Sequence, residues 1–197
     1  MVTSELETII LAQRGDTAAF SQIVEQYQRP VYNLCYRMLG GSMDAEDAAQ
    51  EVFIRAYKAL DRYDTNRKFI TWLLTIASNY CIDQHRKRKL DTVSVDSMED
   101  YELRGNSEPI EVGMVKDEQA GNVQEMLKDL GEKDRAAVIY RYWYDYSYDE
   151  IAEALDLTVS AVKSRLHRSR KELAKIWIIK KELNVTQERI AHETPAI

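Results

Sequence analysis

Apolar residues recur along this chain every three or four positions, in blocks broken by glycine, proline or short polar runs. That period predicts helices. The first block, Glu5 to Arg14, ends at Gly15, and Asp16 is placed to cap the next helix. Phe20, Ile23, Val24 and Tyr27 keep the helical period there. Pro30 is expected to kink or restart the helix, after which Val31, Leu34, Cys35 and Met38 continue the buried stripe up to Gly40-Gly41. A third helix, Asp44 to Leu60, turns Ala45, Ala49, Val52, Phe53, Ala56 and Leu60 inward. The fourth follows the turn-prone run Asp64-Thr65-Asn66-Arg67-Lys68 and opens at Phe69-Ile70-Thr71-Trp72. It buries Leu73, Ile76, Ala77 and Tyr80 and closes on the basic cluster His85-Arg86-Lys87-Arg88-Lys89.

Between Asp91 and Asp117 the period lapses. Asp91, Asp96, Glu99, Asp100, Glu102, Glu108, Glu111 and Asp117 face only Arg104 and Lys116, and Gly105, Pro109 and Gly113 interrupt the run. This is the composition of an acidic linker, flexible until bound. Helical spacing returns at Glu118, with Val123, Met126, Leu127 and Leu130 stopped by Gly131. A helix over Ala136 to Trp143 follows, with Val138, Ile139 and Tyr142 available for packing. Ser147-Tyr148-Asp149-Glu150 spells a capping box ahead of the buried positions Ile151, Ala152 and Leu155. A brief turn, Asp156-Leu157-Thr158, leads to a helix that Ser160 can cap and that buries Val162 and Leu166. Past Lys175 the helix should run a turn or two further and fray by His192, with Trp177 and its isoleucine neighbours either extending the core, the favoured reading, or offering a partner site. The divisions are thus 5–90, a linker over 91–117, a second domain over 118–175 and an extension over 176–197.

Composition fixes the class. Only seven glycines and three prolines in 197 residues, with 45% apolar content, imply an all-α chain of two small helical domains. A formal net charge of −6 argues against nucleic-acid binding, but charge is segregated along the chain. Cys35 and Cys81 read as small core hydrophobes in a reducing compartment. The N-terminus lacks a signal-peptide pattern, and no apolar stretch reaches the roughly 20 residues that cross a bilayer. A cytoplasmic protein without membrane insertion is expected.

Three surfaces carry candidate chemistry. Trp72, Thr75, Asn79, Asp83 and Arg86 form a stripe offset from the buried face of their helix. An aromatic, an amide, a hydroxyl and a guanidinium suit unpaired bases, although a solvated polar face has the same spacing. Asp47, Gln50, Glu51, Ile54 and Lys58 share another face, where an apolar anchor ringed by polar groups is either a docking site or an ordinary wet surface. Asp44, Glu46, Asp47 and Glu51 do not converge as metal ligands would. Two short helices around a tight turn, the second exposing Lys163, Arg165, Arg168, Arg170, Lys171 and Lys175, spell helix-turn-helix. Such a helix enters the major groove of DNA or meets an acidic protein. His85, His167 and His192 are scattered, no glycine-rich phosphate loop exists, and no nucleophile has a recognisable base. No catalytic residue, metal or other cofactor is therefore expected.

Taken in order, Asp44-Ala45-Glu46-Asp47-Ala48-Ala49-Gln50-Glu51-Val52-Phe53-Ile54-Arg55-Ala56-Tyr57, Phe69-Ile70-Thr71-Trp72-Leu73 with Ile76-Ala77-Ser78-Asn79, and Tyr146-Ser147-Tyr148-Asp149-Glu150-Ile151-Ala152 with Val162-Lys163-Ser164-Arg165-Leu166-His167-Arg168 resemble the motifs of bacterial RNA polymerase sigma factors of the extracytoplasmic-function type (group IV). The resemblance spans residues 5 to 175. It implies a region 2-like domain, a linker that threads the polymerase's RNA channel, and a region 4-like domain. Asp47, Gln50, Glu51 and Ile54 would dock on the β′ clamp helices of core polymerase, with the β flap a further contact of the enzyme. Asp64, Thr65, Asn66, Arg67 and Lys68 would capture a flipped base of the −10 element, helped by Trp72, Asn79 and Arg86. Lys163, Ser164, His167 and Arg168 would face the −35 duplex, with Arg165, Arg170 and Lys171 mostly on phosphate. The family also implies an anti-sigma partner. Its second module usually carries glycine at the place of Asp156, and proline and glycine at the places of Thr158 and Ser160. A helix-turn-helix regulator with a sensing or dimerising first domain is the alternative; it needs neither a docking face nor a base-capture loop.

Overall fold

The computed structural model describes residues 4–94 and 118–193, and among them it holds helices and no strand. Helices α1 (Glu5–Gln13), α2 (Thr17–Leu39), α3 (Ser42–Ala59) and α4 (Phe69–Ser94) form the first half, with a 3₁₀ turn over Leu60–Arg62 between α3 and α4. Helices α5 (Glu118–Lys128), α6 (Glu132–Trp143), α7 (Tyr148–Leu155) and α8 (Val159–Glu193) form the second. The segment read as an acidic linker ends α4 with residues 91–94; the rest of it lies outside the described residues, as do 194–197.

Side-chain caps set the helix starts. Ser4 and Glu7 close a reciprocal capping box on α1, and Asp16 accepts from the backbone N–H groups of Ala18 and Ala19 to begin α2. Gly15 and Gly40 lie at φ +93° and +86°, left-handed conformations that end α1 and α2 at little steric cost. The first core gathers Ile23, Val31, Leu34, Val52, Leu73 and Leu74, all nearly or fully buried. Cys35 and Cys81 sit inside it, and a hydrogen bond between the two thiols, together with burial, pushes the Cys35 thiol up.

Several expectations need correction. Pro30 does not restart α2; the helix is continuous across it, because Tyr27, Val31 and Leu34 bury an unbroken stripe on both sides and only one ladder bond is forfeited. On α6 it is Tyr140, not Tyr142, that is buried. Helix α6 is covered by α7 and α8 on one side and by α2 and α4 on the other, so consecutive residues Val138, Ile139 and Tyr140 all go inside. Thr158 rather than Ser160 caps α8, its Oγ1 accepting from Ala161 N at 3.2 Å. Trp177, Ile178 and Ile179 are 50, 55 and 56% exposed and extend no core, since α8 carries them past the helices it packs on. The helix also persists through His192 and Glu193, where fraying was expected.

Candidate polymerase and promoter interfaces

On α3 the docking candidates stand apart from the core. Asp47 and Gln50 are exposed, Glu51 is half-buried, and Ile54 between them is 49% exposed. Ala48, Val52 and Ala56 anchor the opposite face, so this helix cannot rotate to hide Ile54 without exposing them. Glu51 accepts from Arg55 Nε at 2.8 Å, and the Arg55 guanidinium lies 4.7 Å over the Tyr80 ring of α4. Tyr57, exposed beside Ile54 and edge-on to Phe20 at 4.8 Å, enlarges the apolar centre. The sequence reading missed it, although its position three residues after Ile54 was the available signal.

The loop before α4 has defined internal structure. Asp64 accepts from Asn66 N at 3.0 Å and Asn66 Nδ2 at 2.9 Å, and Arg67 N donates to the Asp64 carbonyl. These bonds hold the Asp64 carboxyl below its usual range. The Tyr63 hydroxyl donates to the Arg67 carbonyl and closes the loop's base. Beneath it Tyr63, Phe69 and Trp72 form one aromatic cluster with centroids 4.9–5.4 Å apart. Tyr63 and Phe69 are buried there as packing groups; Trp72 is half-buried. Asn79 and Arg86 are exposed on the same helix, and Arg86 lies 4.0 Å from Asp83. Thr65 and Asn66 point to solvent, whereas Arg67 and Lys68 reach across to carboxylates of α7.

In the second half, α7 and α8 meet at the Asp156 turn. Asp156 adopts φ +50°, ψ +60°, the left-handed conformation that aspartate accepts more readily than most residues. Leu157 N then bonds the Ala152 carbonyl at 2.9 Å, fixing the departure of α8. Lys163, Ser164, His167, Arg168, Arg170 and Lys171 are all exposed on α8. Arg165 differs: half-buried, it donates to Asp134 of α6 at 2.5 Å and helps hold α8 in place. Lys163 Nζ rests 5.8 Å from the Tyr148 ring. Among the described residues no three His, Cys, Asp or Glu side chains gather as a metal site, and no helix is long and apolar enough to span a membrane.

Comparison with known proteins follows this division. The sigma-70 region 2 family model matches residues 23–90, and the sigma-70 region 4 model matches residues 120–173. The chain is 39% identical over 170 residues to the ECF RNA polymerase sigma factor SigW of Bacillus subtilis, covering 83% of this chain and 91% of that one. It belongs to the extracytoplasmic-function sigma factors. The sigma-E factor of Escherichia coli K12 is 35% identical over 168 residues, 82% of this chain and 87% of its own length. Among solved structures, CnrH in complex with the cytosolic domain of CnrY shares the fold at TM-score 0.65 and 23% identity, over 89% of this chain and 97% of that one. So does RpoE of Bartonella quintana, bound to the anti-sigma factor NepR, at TM-score 0.63 and 20% identity over 81% and 97%. Within this sigma factor, the α3 face and the Asp64–Lys68 loop both fall in the region 2 match, and the exposed cations of α8 up to Lys171 fall in the region 4 match.

Proposed function

We propose that this sigma factor recruits core RNA polymerase through Asp47, Gln50, Glu51 and Ile54 on the β′ clamp helices, with the β flap a further contact. It reads the −35 element with Lys163, Ser164, His167 and Arg168, and Arg170 and Lys171 lie on phosphate. Arg165 has its first duty toward Asp134 and reaches DNA only as a secondary contact. At −10, the Asp64–Lys68 loop captures one extruded base, while Trp72, Asn79 and Arg86 line the path of the separated strand. Extrusion costs a few kcal/mol, which the turn of Asp64 and Asn66 helps offset because its internal hydrogen bonds already order the loop. The chain performs no covalent chemistry; phosphoryl transfer belongs to the polymerase, and both work in the cytoplasm. An anti-sigma protein restrains it by covering the α3 face.

One observation carries this reading: an exposed acidic face centred on Ile54, an ordered polar loop and a cationic recognition helix occur on one chain in the order of its family. A duplex-binding regulator has use for only the last of these. The test is transcription from a promoter library by purified core polymerase with and without this protein. Start sites that appear only with the protein, preceded by a shared upstream pair of elements, are the expected result. Absence of any new start site overturns the proposal.

A further inference from the structure

The halves of this chain are joined by more than a linker. Tyr140 of α6 is fully buried, and its hydroxyl meets the Leu74 carbonyl at 2.7 Å and Ser78 Oγ at 2.8 Å, both on α4. The Tyr144 hydroxyl donates to the Pro30 carbonyl of α2 at 2.6 Å. Gln124 Nε2 of α5 bridges the carbonyls of Tyr36 and Arg37. Arg135, only 5% exposed, donates to the Met38 carbonyl on one side of the seam and to Lys128 and Leu130 carbonyls on the other. These contacts tie α5, α6 and the residue that ends α6 to α2 and α4.

Docked this way, α7 lies against the promoter loop. Arg67 Nη1 meets Glu153 Oε1 at 2.5 Å and Lys68 Nζ meets Glu150 Oε1 at 3.0 Å. Both cations of the loop therefore face carboxylates from the other half of the same chain. All four side chains keep contact with water, so these ion pairs contribute little to holding the halves together. The buried hydroxyls, amide and guanidinium do the holding, and the ion pairs take the loop's charges out of use.

We propose that the free protein is closed on itself, with Glu150 and Glu153 occupying the loop cations that a nucleic-acid phosphate needs. The inference rests on the assignment of Asp64–Lys68 to single-stranded DNA made above. Its physical content is a population shift. A strand that binds only the open form has its apparent affinity reduced by the fraction of molecules that are open. Most seam donors end on backbone carbonyls, for which water is an adequate substitute, so opening is accessible to a partner that binds the separated halves more tightly.

Full-length protein serves the test. A zero-length carbodiimide should join Lys68 to Glu150 within single molecules at low protein concentration, and a short oligothymidine strand should suppress that product. Failure to form the cross-link overturns closure. A fluorescein-labelled oligothymidine then measures affinity. Glu150→Gln with Glu153→Gln keeps the capping-box geometry, because glutamine serves at that position too. Tyr140→Phe keeps the ring and removes the seam hydroxyl. Both should bind the strand more tightly, Tyr140→Phe by up to about tenfold for an open fraction of about a tenth, and the glutamine pair by a few-fold, since its exposed ion pairs hold the halves only weakly. Arg67→Ala should weaken binding in every background. If the glutamine and phenylalanine variants bind no more tightly while Arg67→Ala still weakens binding, self-closure is wrong and the promoter loop stands. If Arg67→Ala changes nothing, the loop assignment itself falls.

Discussion

Glu150 joins two parts of the molecule through one carboxylate. It accepts from Ser147 N at 2.9 Å, completing the box that starts α7, and from Lys68 at 3.0 Å. The Ser147 backbone bond, then the Lys68 contact, hold its carboxyl below the usual glutamate value. A depressed carboxylate stabilises the fold above the unfolded pKa, and that stabilisation is lost as pH falls through the folded one. The melting-temperature gap between wild type and Glu150→Gln should therefore be full near neutral pH and close below about pH 4. A gap independent of pH in thermal melts would contradict this role. Arg168 makes a different kind of prediction, since no hydrogen bond or ion pair engages it among the described residues. Its replacement by alanine should cost about 1–3 kcal/mol on the preferred upstream duplex and much less on random sequence, measured by titration at fixed salt. Equal losses on both duplexes place Arg168 on phosphate.

At the scale of elements, α8 begins where Thr158 caps it, and Thr158→Ala should lower stability by about 0.5–2 kcal/mol in urea unfolding. Ser160→Ala, two residues past the cap and already inside α8, should be close to neutral. The difference between these two residues explains what the sequence makes legible. Periodicity places Val162 and Leu166 inside, and the capping box of α7 and the left-handed Asp156 follow from local chemistry alone. A helix start, by contrast, depends on which of several nearby hydroxyls reaches a free N–H, and that needs coordinates. The same limit hid the fate of α6 and of Pro30. Tyr140 is buried by Leu74 and Ser78, more than sixty residues earlier in the chain, and Pro30 receives a hydroxyl from Tyr144. Neither relation leaves a mark in local spacing. The loop cations Arg67 and Lys68 were legible as candidates for the same reason that their partners Glu150 and Glu153 were not: charge type is local, pairing across the fold is not.

For the whole molecule, the closed arrangement still leaves Asp47, Gln50 and Ile54 open to solvent. If α3 docks polymerase as proposed, it can do so before the halves part. Asp47→Lys with Glu51→Lys should abolish binding to core polymerase in a pull-down while leaving the helical circular dichroism spectrum unchanged. Retained affinity would remove α3 from the docking surface. Changes within Asp64–Lys68 should instead impair opening of a duplex promoter more than binding to a pre-melted one, read by footprinting on both templates. Equal impairment on the two would deny the loop its base-capture role. Finally, α8 is one uninterrupted helix of 35 residues, a rod of about 50 Å. Trp177 lies 18 positions beyond its first residue, Val159, or about 27 Å along the axis. Because α8 is packed on α5, α6 and α7, it moves with them, and a small rotation of that half against α2 and α4 is magnified at the indole. Trp177 is a native fluorescent pointer for the angle between the second half and the first.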